Sequence, residues 1–194
     1  SEITLGTIST ESGPIPGLGT SALAAVRAYV AYRNATGGVC GRQLALRTAD
    51  DGADNGRHRA AVNDMNGGVI GLVGGTAGGD AGSGDLVAEL GMPVVDTAIS
   101  ESFQNSPTVF DINPPFADIN RSIGKFDFLY SQGVRKAAIV LPAADQTRSE
   151  AVKQRAQMEA AGIEVVLQQE VPVSTLSFDS AARAVANSGA QYLL

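Results

Sequence analysis

Short apolar, β-branched runs alternate with helix-compatible segments along almost the whole chain, and the connections between them are short. Strand-like runs fall at residues 3–8, 43–48, 69–73, 92–95, 108–112, 137–141, 163–168 and 191–194. Helix-compatible segments fall at 21–36, 55–66, 80–90, 117–131, 147–161 and 178–187. Strands separated by helices return to one sheet in parallel, so this rhythm predicts an α/β fold, a parallel sheet covered by helices on both faces. Gly37-Gly38, Gly67, Gly91 and Gly162 stop the helices. Leu23, Val26, Val30 and Tyr29 are read onto one face of the first helix, and Ile119, Ile123, Phe126 and Tyr130 onto one stripe of the fourth. Asn113-Pro114-Pro115 favours an extended connector, after which the rhythm restarts. Two α/β lobes are therefore expected, residues 1–115 and 116–194.

The stretch GLVGGTAGGDAGSGDLVAELGMPVVDTAIS, residues 71–100, reads as strand, glycine turn, helix and second strand. Glycines at 74, 75, 78 and 79 would let a small molecule approach the backbone with no Cβ in the way. A helix starting at Asp80 would leave N–H groups and a dipole suited to a carboxylate or phosphate. If the two strands are parallel neighbours, their carboxyl ends share one crevice, where open α/β sheets bind ligands. Ser100 could donate and accept there. A plain turn without a ligand is the competing reading of the same glycines.

Several classes are excluded or demoted. No G-x-G-x-x-G lies at a strand-to-helix junction and no phosphate loop G-x-x-x-x-G-K-[ST] occurs, so nucleotide binding falls away. A net charge of −6 with 14 scattered Lys and Arg argues against a nucleic-acid partner. No apolar run reaches the roughly 20 residues of a membrane helix, so no direct membrane insertion is expected, and any export signal is expected to have been removed. The acidic run Asp50-Asp51-Gly-Ala-Asp54 misses the calcium-loop spacing and reads as helix capping. Cys40, the single cysteine, reads as incidental, and His58, the single histidine, sits in a polar segment without an evident partner. No nucleophile–base pair or paired carboxylates support an enzyme, and neither cofactor nor metal is expected.

Taken in order, ITLGTISTESGPIPGLG, AYRNATGGVCGRQLAL, DDGADN, GLVGGTAGG and GMPVVDTAIS, followed by VRKAAIVLPAADQTRSEAVKQRAQMEAAGIEVV and VSTLSFDSAARAVANSGAQYLL, resemble the branched-chain amino-acid (Leu/Ile/Val) substrate-binding family of ABC transporters, of the type I periplasmic binding protein fold. The resemblance covers essentially the whole chain. It implies two doubly wound lobes, the second incomplete, that clamp a ligand in the cleft and present the closed form to an ABC permease, with no chemistry. It further implies that Ala77-Gly78-Gly79 and Ala98-Ile99-Ser100 hold the α-carboxylate and α-amino groups of the ligand. In addition, Leu18 would help to enclose its side chain, and Thr147 would stand where the second lobe usually places an aromatic lid. The implied location is extracytoplasmic, secreted or lipid-anchored.

The chain departs from that pattern in three places. Gly78 replaces a common serine, which leaves backbone N–H groups to meet a carboxylate; Thr147-Arg148 replaces tyrosine-glycine. Arg148 could offer forked donors to an acid, but reads more simply as a solvated residue at a helix start. Asp96 and Glu11 could meet a cationic group, but read more simply as solvent-facing loop carboxylates. Third, the chain stops at Leu194, about half-way through the architecture, so self-association through an open sheet edge is expected of the 194-residue piece. A ligand-sensing domain of a receptor or regulator is the alternative role for the same fold.

Overall fold

The computed structural model describes residues 2–112, 124–143 and 145–194. The chain divides into two compact units, Ser1–Pro115 and Phe116–Leu194. The Asn113-Pro114-Pro115 connector and the predicted stripe residues Ile119 and Ile123 lie outside the described residues.

The first unit runs β1 (Ile3–Ser9), α1 (Thr20–Ala35), β2 (Leu44–Asp50), α2 (Asn55–Met65), β3 (Leu72–Thr76), α3 (Gly84–Glu89), β4 (Val94–Thr97), α4 (Glu101–Gln104) and β5 (Val109–Asp111). Its sheet is parallel throughout, in the order β2-β1-β3-β4-β5. The chain grows outward from β1 in both directions, so the strand order reverses between β1 and β3, the position at which doubly wound sheets open a crevice. Ile8, Val62, Leu72, Val87, Val94 and Phe103 build one apolar core from the strands and from α2, α3 and α4. Burial of each such side chain contributes about 1.5–3 kcal/mol.

The second unit contains α5 (Gly124–Ser131), β6 (Lys136–Pro142), α6 (Asp145–Ala160), β7 (Glu164–Val171), α7 (Asp179–Asn187) and β8 (Tyr192–Leu193). Its parallel sheet, ordered β7-β6-β8, repeats the opening arrangement of the first. Phe126, Ile139, Leu141, Met158 and Ile163 form a separate core.

Local differences from the sequence reading have simple causes. Leu23 is buried, but Tyr29 is 57% exposed, because it lies one position before Val30 and is therefore turned about 100° away around the helix. Tyr130, one turn after the buried Phe126, is 39% exposed and lies under the Arg135 guanidinium, 3.7 Å from the ring centre. The helix expected over 80–90 is broken: Asp80–Gly82 form a 3-10 turn and α3 begins only at Gly84. The irregular stretch after Ser100 contains the short helix α4, capped by the Ser100 side chain.

Candidate functional site

The candidate site sits at the carboxyl ends of β1, β3 and β4. The strands β3 and β4 are parallel neighbours with Thr76 opposite Thr97, so the two loops that follow them, Ala77-Gly78-Gly79 and Ala98-Ile99-Ser100, leave the sheet side by side.

Asp80 joins them. Its carboxylate follows the first loop directly and accepts the backbone N–H of Ile99 at 2.6 Å and that of Ser100 at 3.1 Å. Asp80 is 1% exposed, and burial raises its carboxyl above the usual range, against the lowering effect of its bonds from Ser100 and Ile99. The first loop is held from below. Thr10, one residue past β1, donates its hydroxyl to Asp51 Oδ1 at 2.6 Å and accepts the Gly78 N–H at 2.8 Å. Asp51 Oδ2 accepts the Gly79 N–H at 2.9 Å, while Oδ1 also takes the Ala53 N–H at 3.0 Å. Thr10 and Asp51 are both fully buried.

The amides of Gly78 and Gly79 are the two that the sequence reading offers to a ligand carboxylate. In this structure each already donates inside the protein. The glycines also have an internal reason. A Cβ would stand 2.3 Å from Val26 Cγ2 at Gly74, 2.2 Å from the Ile8 carbonyl at Gly75, 2.9 Å from Ala53 Cβ at Gly78 and 2.4 Å from the Asp54 carbonyl at Gly79. The turn is glycine-rich because neighbouring backbone and side chains press on it. The helix start expected at Asp80 falls instead at Gly84, after the 3-10 turn.

Around this network lie further buried polar groups. His58 is 2% exposed, bonds Ser83 Oγ through Nδ1 at 2.5 Å and meets Phe103 edge to face at 5.5 Å. Burial pushes its pKa down to about 4, against the charge of Asp51. It therefore has partners, contrary to the sequence reading. Asp96 is 5% exposed rather than solvent-facing. Burial pushes it up to about 8, against the Thr97 N–H bond, and the charges of Asp80 and Asp111 add to the rise. Glu11 is exposed as expected.

The acidic run divides its work. Asp54 caps α2 by accepting the Arg57 N–H at 2.7 Å, in line with the capping expectation. Asp50 instead accepts the N–H groups of Glu11, Ser12 and Gly52 and the Ser12 hydroxyl, tying the loop after β1 to the loop after β2. The Ser12 bond is the chief reason its carboxyl lies well below the usual range. No group of three or more His, Cys, Asp and Glu side chains is placed to hold a metal among the described residues.

Leu18 is 37% exposed in the loop before α1. Ala77 and Ala98 are buried at 4% and 1% exposure, so their side chains fill the core beneath the loops. Thr147 belongs to the second unit, in the first turn of α6, where its hydroxyl donates to the Pro142 carbonyl at 2.5 Å. Arg148 makes a forked pair with Glu170, Nε to Oε1 at 2.9 Å and Nη2 to Oε2 at 2.9 Å. Cys40 is exposed at the tip of a tight turn with φ 51°. Sequence reasoning missed Thr10, Asp51 and Asp80 as the organisers of the loops. The available signal was that Thr10 and Asp51 directly follow strand ends and that Asp80 closes the loop after a third.

Comparison with known proteins agrees with this architecture. The sequence profile of the family described as periplasmic binding protein matches residues 2–194. No curated protein matches the chain. Among solved structures, the fatty acid ABC transporter substrate-binding protein from Thermomonospora curvata superimposes with a TM-score of 0.84 at 19% identity, over 100% of this chain and 50% of that one. The branched-chain amino acid transporter substrate-binding protein from Streptococcus pneumoniae, in complex with isoleucine, gives 0.83 at 18%, over 100% and 56%. A solute-binding protein of an ABC transporter from R. palustris, in complex with 4-hydroxybenzoate, gives 0.81 at 20%, over 100% and 53%. This chain thus spans between 50% and 56% of the length of those structures. With parallel sheets of the type I arrangement and a family profile matched from residue 2 to residue 194, the chain belongs to the periplasmic binding protein family.

Proposed function

We propose that the chain is part of the extracytoplasmic solute-binding component of an ABC uptake system, holding an amino acid or related small carboxylate and presenting it to a permease. The observation that carries this reading is the pair of strand-end loops, Ala77-Gly78-Gly79 and Ala98-Ile99-Ser100, brought together through Asp80 beside the reversal in strand order, in a chain of this family. The substrate-binding proteins that share the fold, one solved with isoleucine and another with 4-hydroxybenzoate, support a small organic ligand. Residues 1–115 would act as the first ligand-binding lobe and residues 116–194 as the start of the second, with Leu18 and Thr147 as flanking contacts. Binding without catalysis fits a site whose buried hydroxyls and carboxylates serve mainly to hold backbone in place.

The test is thermal unfolding against a panel of aliphatic and aromatic amino acids, their amides and small organic acids. A ligand at about 100 times its dissociation constant adds roughly 2.7 kcal/mol to the stability of the protein that binds it. A rise in midpoint confined to one chemical class identifies the ligand family. A flat panel on the full-length protein removes amino-acid uptake and leaves the sensing role or another ligand class.

A further inference from the structure

Resting on the reading of these two loops as the ligand-binding edge, we propose that Asp80 is an internal stand-in for a ligand carboxylate: it fills the backbone donors of Ile99 and Ser100, and so directs this unit toward the donor-bearing end of a ligand, an ammonium or hydroxyl, rather than toward a carboxylate.

The argument is one of donors and acceptors. A carboxylate is held by N–H groups, and charge-assisted bonds of this kind are about twice as strong as neutral ones. Of the six amides in the two loops, four are those of Gly78, Gly79, Ile99 and Ser100. All four already donate, to Thr10 Oγ1, Asp51 Oδ2, Asp80 Oδ2 and Asp80 Oδ1. The Ile99 bond, at 2.6 Å, has the short length of a bond to a charged acceptor. A second carboxylate placed against Ile99 and Ser100 would have to displace Asp80 and leave it buried without its donors, at a large desolvation cost. It would also meet like charge. A ligand ammonium or hydroxyl brings its own hydrogen and makes no demand on these four amides. A ligand's carboxylate, where it has one, is then left to groups other than these four amides. Asp80 is in this sense a positioning and specificity-determining residue.

Isothermal titration of L-leucine, leucinol and isocaproate into the full-length protein and into Asp80→Asn and Asp80→Ser tests this. These probes carry amine and acid, amine without acid, and acid without amine. The expected result is that the wild type binds leucinol within about tenfold of leucine and does not bind isocaproate, while Asp80→Ser gains roughly tenfold or more for isocaproate. Asp80→Asn keeps an acceptor and the shape of the side chain, and is expected to weaken leucinol without loss of fold. A change in the ratio between probes separates this role from a merely structural one, which would weaken all three alike. Wild-type binding of isocaproate as tight as that of leucine, with leucinol silent, overturns the inference. If the wild type binds none of the three, the amino-acid reading fails; the inference then stands or falls on whether Asp80→Ser gains isocaproate. Should the variants not fold, the wild-type amide proton shifts of Ile99 and Ser100 decide: they are expected to stay fixed during isocaproate titration, and a saturating shift of both overturns the proposal.

Discussion

At the scale of single residues, the buried polar groups have consequences that pH and substitution can read. His58 has a folded-state pKa of about 4 against an ordinary 6.5, so its neutral form is the one that fits the fold. The stability this provides is present above pH 6.5 and is lost as pH falls toward 4. Because the chain has one histidine, its ring resonances give an unobstructed NMR titration, expected to show a midpoint near 4. Asp96 runs in the opposite sense. Its pKa is raised from 3.8 to about 8, so the stability tied to its protonated form is full below 3.8 and is lost as pH rises through 8. Asp96→Asn, which keeps an acceptor for the Thr97 N–H, is therefore expected to raise the melting temperature more at pH 8 than at pH 4. Asp51→Ala should cost about 3 kcal/mol in denaturant unfolding, since it strands the Gly79 and Ala53 amides and the Thr10 hydroxyl in a buried place.

At the scale of elements, the contact of α1 with β3 depends on a missing side chain. Gly74 has φ +60°, and a Cβ there would lie 2.3 Å from Val26 on α1. Gly74→Ala combines backbone strain with overpacking, and a loss of about 1–3 kcal/mol in urea unfolding is expected. The forked bond between Arg148 on α6 and Glu170 on β7 makes a useful contrast. Both side chains are substantially exposed, 46% and 39%, so Arg148→Ala should change stability by less than about 1 kcal/mol despite its good geometry. Pairs of this kind fasten a helix start to a strand end without deciding whether either forms.

At the scale of the whole molecule, each unit has its own sheet and its own core. Met158→Ala, at a fully buried position of the second core, should cost about 2–5 kcal/mol. Hydrogen exchange should show lost protection in β6 and β7, with β1 and β3 retained. The edge of the first sheet has a different liability. Val95 and Phe110 are paired neighbours on β4 and β5, exposed by 45% and 63%, and Ile112 just beyond is 61% exposed. β5 is the last strand in the order of that sheet among the described residues, and an apolar edge favours association, so concentration-dependent light scattering is expected of this 194-residue chain, reduced in Phe110→Lys.

The α/β class and most strand positions were legible in the residues themselves because they rest on local quantities: the period of apolar residues, the glycines that stop helices and the prolines that break them. The loops after β3 and β4 were placed by that local order, but that the two strands are parallel neighbours was left as a condition, which the sheet meets. What Gly78, Gly79, Ile99 and Ser100 donate to was not legible. Thr10, Asp51 and Asp80 are 68, 28 and 19 residues away from the amides of Gly78, Gly79 and Ile99 that they hold, and no local pattern links them. The same is true of His58 with Ser83 and of the burial of Asp96. An isolated carboxylate in a loop looks solvated until the sheet closes over it. Sequence alone determined the elements and their order, since these depend on each residue and its near neighbours; only the tertiary structure decided which buried groups meet, because that depends on strands far apart in the chain arriving side by side.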